Sequence, residues 1–213
     1  MPDVDDPALP GGLFERIDPG SDLAFYEQPR FVTHIDDATI AALTDFYRER
    51  LAPGARVLDL MSSWVSHLPE EETYGSVVGH GMNAAELGHN PRLDAWHVQD
   101  LNEDPQLPWP DQSFDAALIA VSIQYLTRPV EVLGELARVL VPGGEVIIAT
   151  SHRCFPTKAI WAFRNLAPEE RIRLIAFYLQ RAGGFEAPDF QDRSPDGADP
   201  LWILSARRVG ESD

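Results

Sequence analysis

The sequence predicts a doubly wound α/β domain built on a mostly parallel sheet, and three observations carry that prediction. Short apolar runs alternate with helical patterns along most of the chain, which is the signature of βαβ units. Arg56-Val57-Leu58-Asp59-Leu60 is an apolar run that meets an acid near its end, as a buried parallel strand reads. Ala116 to Val121 is fully apolar and therefore central in the sheet.

The remaining elements follow in order. Residues 1–22 are rich in Pro, Gly and Asp and read as a loose leader. Residues 23–213 read as a single domain, whose first part, residues 23–54, forms a helical lid segment. Asp36 or Asp37 caps a helix with Ile40, Leu43, Phe46 and Tyr47 at three-to-four spacing, and Pro53-Gly54 ends it. The second strand is Ser76 to His80, and Asn83-Ala84-Ala85-Glu86 has the spacing of a capping box before a short helix ending near Gly88. Ala95 to Gln99 reads as a third strand, and Asn102 to Asp111 as a Pro-rich loop. Pro129 opens a helix with Val130, Leu133, Leu136, Ala137 and Leu140 on one stripe. Pro142-Gly143-Gly144 stops it before the strand Glu145 to Thr150. Pro168 starts a further helix through Arg181, halted by Gly183-Gly184. A short strand near Phe185 and a longer one at Leu201 to Ala206 close the chain, joined by a loop through Asp189 and Asp192.

Composition excludes several functions. With 34 acidic and 17 basic residues the net charge is −17, which repels phosphate backbones and argues against a nucleic-acid partner. No apolar run reaches the roughly 18 residues that span a bilayer, so no membrane partner is expected. The acidic start has no apolar core of a secretory signal, and the single Cys154 suits a reducing compartment, so a cytoplasmic location is expected. His67 and His97 lack metal-ligand spacing, and no metal is expected.

In open α/β sheets, ligands bind beyond the carboxyl ends of the strands. Those ends supply Asp59 to Ser66, Gly79 to Met82, Asp100-Leu101, Val121 to Tyr125 and Thr150 to Arg153. Along this line the order of Asp59, Asp100-Leu101, Ser113-Phe114-Asp115 and Arg138-Val139-Leu140-Val141-Pro142-Gly143-Gly144 resembles the class I, Rossmann-like S-adenosylmethionine-dependent methyltransferases. The resemblance covers about Ala55 to Arg207 and implies an antiparallel last strand. It implies that Asp59 orients the first loop and approaches the ammonium of S-adenosylmethionine, a charge-assisted partnership. It also implies that Asp100 and the Leu101 backbone receive the adenine, with Met82 covering one ring face and Val121 nearby.

Two departures from that family stand out. The positions of its glycine-rich loop hold Met61, Ser63 and Val65, and left-handed backbone is poorly suited to a β-branched side chain. A different path is expected, with the Ser62 and Ser63 hydroxyls offered where others offer bare backbone. Where the family's second strand ends in a ribose-binding acid, this chain has Gly81 beside His80, leaving His80 or Asn83 as substitutes. No Gly-x-Gly-x-x-Gly turn exists for a nicotinamide dinucleotide.

Candidate acceptor-side residues are Tyr26, Arg30 and His34 in the lid segment, with Gln124 and Tyr125 after the fourth strand. His152 and Arg153 stand after the fifth, and His152 has the chemistry of a general base. The expectation is methyl transfer from S-adenosylmethionine to a small-molecule acceptor. The alternative is a protein that kept the fold and lost the chemistry, serving a binding or regulatory role.

Overall fold

The computed structural model describes residues 12–210, so the first part of the leader reading lies outside the described residues. Seven strands form one sheet: β1 (Arg56–Leu60), β2 (Ser76–Gly81), β3 (Ala95–Val98), β4 (Phe114–Ala120), β5 (Leu140–Thr150), β6 (Asp189–Asp192) and β7 (Trp202–Arg207). Their order is β3-β2-β1-β4-β5-β7-β6, parallel from β3 to β5, with β7 antiparallel to both neighbours. This is the doubly wound, mostly parallel sheet with an antiparallel last strand that the sequence predicts. The order reverses between β1 and β4, and their carboxyl ends open the crevice where such sheets bind ligands.

Six α-helices and one 3-10 turn (Ile123–Tyr125) accompany the sheet among the described residues: α1 (Asp22–Phe25), α2 (Asp37–Arg50), α3 (Ala84–Gly88), α4 (Pro129–Val139), α5 (Trp161–Asn165) and α6 (Pro168–Ala182). Strand pleating sends alternate residues of β1 to opposite faces. Leu58 and Leu60 join the core under α4 and α6, with Leu133, Leu136, Ile175 and Tyr178. Val57 joins the other core, under Leu43, Phe46 and Tyr47 of α2. Asp36 caps α2 through its side chain on the Thr39 N–H at 2.9 Å.

Residues 61–75 join the parallel strands β1 and β2 without any helix. A parallel crossover needs a dozen or more residues and usually a helix to cover the sheet. Here α2, from before β1, supplies the cover, which leaves the first loop free to follow an irregular path over the strand ends.

Three sequence readings are corrected by the structure. Residues 189–192, read as loop, form the edge strand β6; the tetrapeptide Asp-Phe-Gln-Asp is polar because an edge needs little burial. Pro142-Gly143-Gly144 does not separate helix from strand, since β5 begins at Leu140 directly after α4, and Gly143 bends within it at φ +78°. The leader is not loose from residue 12 onward. Leu13 is buried, its carbonyl accepts from Ala162 N, and Glu15 O accepts from Trp161 N at 2.7 Å.

Candidate functional site

A cleft opens over the carboxyl ends of β1, β2 and β4 and reaches the segment after β3. Its floor holds Asp59, Gly81 and Val121; one wall is the loop from Met61 to His67, and the other runs from Gln99 to Asn102. Asp22 at the end of the leader and Tyr26, Arg30 and His34 of the lid segment close it from above, beside Tyr125 and Phe155. Every predicted cofactor residue lines this cleft: Asp59, Met61, Ser62, Ser63, His80, Gly81, Met82, Asp100, Leu101 and Val121.

Asp59 is 3% exposed, and burial pushes its carboxyl up to about 6, against the opposing hydrogen bonds of Ser62 and Ser66. Ser62 Oγ donates to Asp59 Oδ2 at 2.6 Å. Such a carboxylate at the bottom of a cleft gains most from a cationic partner, which restores the charge that burial disfavours.

The loop keeps one left-handed residue of the glycine pattern without the glycine. Met61 has φ +57°, and His67 φ +55° and Val121 φ +49° also line the cleft. Each costs about 1–2 kcal/mol in a residue with a β-carbon, most severely the β-branched Val121. Strain of this kind persists where surrounding contacts over-determine it. Those contacts are visible: Ser62 N donates to His80 O at 2.7 Å, Asn90 Nδ2 to Ser63 O at 3.0 Å, and Thr44 Oγ1 to His67 O at 2.8 Å.

The serine hydroxyls are not offered bare to a ligand. Ser62 donates to Asp59, and Ser63 Oγ donates to Glu86 Oε2 at 2.5 Å. Gly81 is fixed by close approach, because a β-carbon there would stand 2.4 Å from the Ser62 carbonyl oxygen. Asn83 is fully committed: its Oδ1 accepts from Ala85 N and Glu86 N, and its Nδ2 donates to the carbonyls of Tyr26 and Glu27. Half of the predicted capping box therefore forms; Glu86 turns away from the helix cap toward the cleft.

Buried polar atoms without partners gather here. Both ring nitrogens of His80, Nδ1 of His67, Oε1 of Gln99 and Oγ of Ser122 have none, and all five belong to cleft-lining residues. Burial pushes His80 and His67 down to about 4, so both rings are neutral near pH 7. Unpaired groups of this kind are expensive unless a ligand or water meets them. Asp100 is half-buried and burial raises its carboxyl, while its Oδ1 accepts from Asn102 N at 2.9 Å.

The lid is tied down by charge and by rings. Arg30 N donates to Glu86 Oε1 at 2.7 Å, and its guanidinium lies over Phe25 at 4.5 Å and Phe155 at 5.5 Å. Trp64 Nε1 donates to Val32 O at 3.0 Å. Lys158, 1% exposed, pairs with Asp18 at 3.0 Å and Asp22 at 3.1 Å. Asp22 also binds Arg16 and Asn102, which links the lid to the loop after β3. Although burial raises the Asp22 carboxyl, bonds from Arg16, Asn102 and Lys158 outweigh it and hold the group below its ordinary value.

His34 lines the cleft with its ring 5.3 Å from Phe155, and burial lowers its titration. Tyr26 lines it too, its phenol pushed far up by burial. His152 does not: its half-exposed ring pairs with Asp199 at 3.3 Å, a carboxylate shared with Arg153, outside the cleft lining. Gln124 faces inward but donates to the carbonyls of Val121 and Arg153. Glu86, His67 and Asn102 were not among the candidates. Glu86 was legible only as a helix cap partner, and the other two carry no motif. Among the described residues no three His, Cys, Asp or Glu side chains are grouped to hold a metal ion.

The sheet order and a cleft at its switch point define a Rossmann-like α/β fold of the methyltransferase type. Comparison agrees. Residues 61–148 match the family described as "Methyltransferase domain". A demethylmenaquinone methyltransferase of Renibacterium salmoninarum is 31% identical over 134 residues, which is 61% of this chain and 54% of the relative. The chain spans about half the length of the curated relatives it matches. A solved S-adenosylmethionine dependent methyltransferase from Mesorhizobium loti aligns at TM-score 0.57 and 18% identity, covering 79% of this chain and 98% of that one. The [4+2]-cyclase SpnF aligns at TM-score 0.59 and 21% identity, covering 79% and 81%. The matched segment carries a methyltransferase domain, and the sheet has the fold of the solved S-adenosylmethionine-dependent methyltransferase it aligns with.

Proposed function

We propose that this protein transfers a methyl group from S-adenosylmethionine to a small-molecule acceptor. The observation that carries the reading is Asp59: a carboxylate 3% exposed and cleft-facing, at the end of the strand where the family receives the ligand's ammonium. The donor set around it fits the rest of the molecule. Met82, Leu101 and Val121 supply apolar surface for the adenine, and Asp100 with the Leu101 backbone supplies its polar edge. The unpartnered His80, Gln99 and Ser122 atoms supply further hydrogen-bonding capacity. When bound, S-adenosylmethionine supplies a methyl group activated by a positively charged sulfur.

The chain's own contribution is positioning and exclusion of water. The lid, pinned by Lys158 and Trp64, holds Tyr26, Arg30 and His34 over the cleft as the acceptor side. Tyr125 and Phe155, stacked at 6.0 Å, add aromatic surface, which suits a planar acceptor. Holding two reactants in line is worth roughly 7–11 kcal/mol in favourable cases, so methyl transfer needs little further machinery. Where the acceptor must lose a proton, the neutral rings of His34 and His67 are the acceptors at hand. The acceptor named for the Renibacterium relative, a demethylmenaquinone, supports the small-molecule class. The single cysteine supports a cytoplasmic location.

Methyl-labelled S-adenosylmethionine, incubated with the protein and a small-molecule extract, tests the reading. Label entering a low-mass product supports it, and label confined to the donor contradicts it. A second reading is favoured by one observation: position 81 has no room for a ribose-binding acid, since a β-carbon there would stand 2.4 Å from the Ser62 carbonyl oxygen. It holds that the cleft binds without transferring methyl. Purified protein that retains S-adenosylhomocysteine and yields no labelled product favours that reading.

A further inference from the structure

We infer that Glu86 takes the place of the missing carboxylate at residue 81 and receives the ribose hydroxyls of the methyl donor. The inference rests on the cofactor reading above and assigns one wall of its cleft.

Position 81 is closed to any side chain, because the Ser62 carbonyl stands 2.4 Å from a β-carbon there. The diol of a ribose still needs acceptors, and a carboxylate meets two adjacent hydroxyls best, one oxygen to each. Asn83 is excluded, since all its amide valences are in use. His80 sits on the opposite face of β2 from Gly81, by strand pleating, and its ring packs 6.3 Å from His97 and 6.4 Å from Trp109. That places it toward the adenine end, with Gln99.

Glu86 is on the correct side. The same Gly81 β-carbon would meet Leu87 of α3 at 3.2 Å, so α3 packs on the face that Gly81 presents. Ser63, next to the residue that closes position 81, donates to Glu86 Oε2 at 2.5 Å. Glu86 is 7% exposed yet lines the cleft, and each oxygen holds a single donor, Arg30 N and Ser63 Oγ. A carboxylate has about four acceptor positions, so one remains open on each oxygen. The loop that displaced the acid from β2 thus supports its replacement on α3.

The test is calorimetric titration of wild type and Glu86→Gln with S-adenosylhomocysteine and with its 2′-deoxy analogue. Wild type binds the 2′-deoxy compound about tenfold or more weaker, the cost of an unmade charge-assisted bond. Glu86→Gln binds S-adenosylhomocysteine about tenfold weaker and distinguishes the two compounds by less than about threefold. Glu86→Asp, which keeps the charge and withdraws it, gives the same loss of discrimination if the glutamine variant does not fold. Full discrimination retained in a folded Glu86 variant overturns the inference, as does its disappearance in His80→Asn instead. Wild type that binds neither compound overturns the cofactor reading itself, and the assignment of Glu86 with it.

Discussion

The carbonyl oxygen of Ser62 occupies the space that a β-carbon on Gly81 would need, 2.4 Å away. The first loop therefore crosses the end of β2 and the family's acid cannot stand there. Restoring the family pattern is predicted to harm the protein. Gly81→Asp forces backbone apart in a packed floor and costs about 2–3 kcal/mol, read as a lowered denaturation midpoint in urea. An unchanged midpoint contradicts this account of the loop.

Asp59 makes the unliganded protein pay for its cleft. Burial pushes its carboxyl up to about 6 in the fold from an ordinary 3.8. The folded state therefore binds the proton more tightly, and this group's stabilisation is complete below about pH 4 and lost as pH rises through 6. Asp59→Asn removes the penalty and raises stability at pH 7 by about 2–3 kcal/mol, while weakening S-adenosylhomocysteine binding. Affinity of wild type for that ligand falls as pH drops below 6, where the carboxylate is lost. Thermal melting at pH 4 and 7, with titration at pH 5 and 7, checks both halves.

His80 has the opposite sign. Burial lowers its ring from 6.5 to about 4, so the unfolded chain takes up the proton first. Its contribution is complete above about pH 6.5 and lost as pH falls toward 4. The ring has no hydrogen-bond partner, so His80→Leu removes a liability rather than a contact. The variant gains stability over wild type at pH 5 more than at pH 8 in parallel melts. Equal gains at both contradict the assignment.

Lys158 is the chain's one lysine, and its ammonium is buried against Asp18, Asp22 and the Gly20 carbonyl. Lys158→Met leaves Asp22 short of a partner and costs about 3 kcal/mol. The loss concentrates in the lid, so amide exchange over residues 15–30 accelerates beyond the change at β4. Uniform acceleration contradicts a lid-specific role.

Much of the fold was legible because it rests on local pattern. Arg56–Leu60 reads as a strand from its apolar run, and α4 from Pro129 and its stripe. Edge strand β6 was not legible, since Asp189 to Asp192 has no buried side to write into the sequence. Nor was the absence of a helix between β1 and β2, because the cover comes from α2, earlier in the chain. Within the site, Asp59 and Asp100 were legible as acids at strand ends. Glu86 and Lys158 were not, because their contacts reach 56 and 138 residues along the chain. His152 was misplaced for the same reason: Asp199, which holds it outside the cleft, lies on a distant loop.

The most direct measurement is isothermal titration of the purified protein with S-adenosylmethionine and, separately, S-adenosylhomocysteine at pH 7.5. The account predicts micromolar binding of both, one site per chain, lost in Asp100→Ala. No heat from either at millimolar concentration, in protein that melts cooperatively, contradicts it.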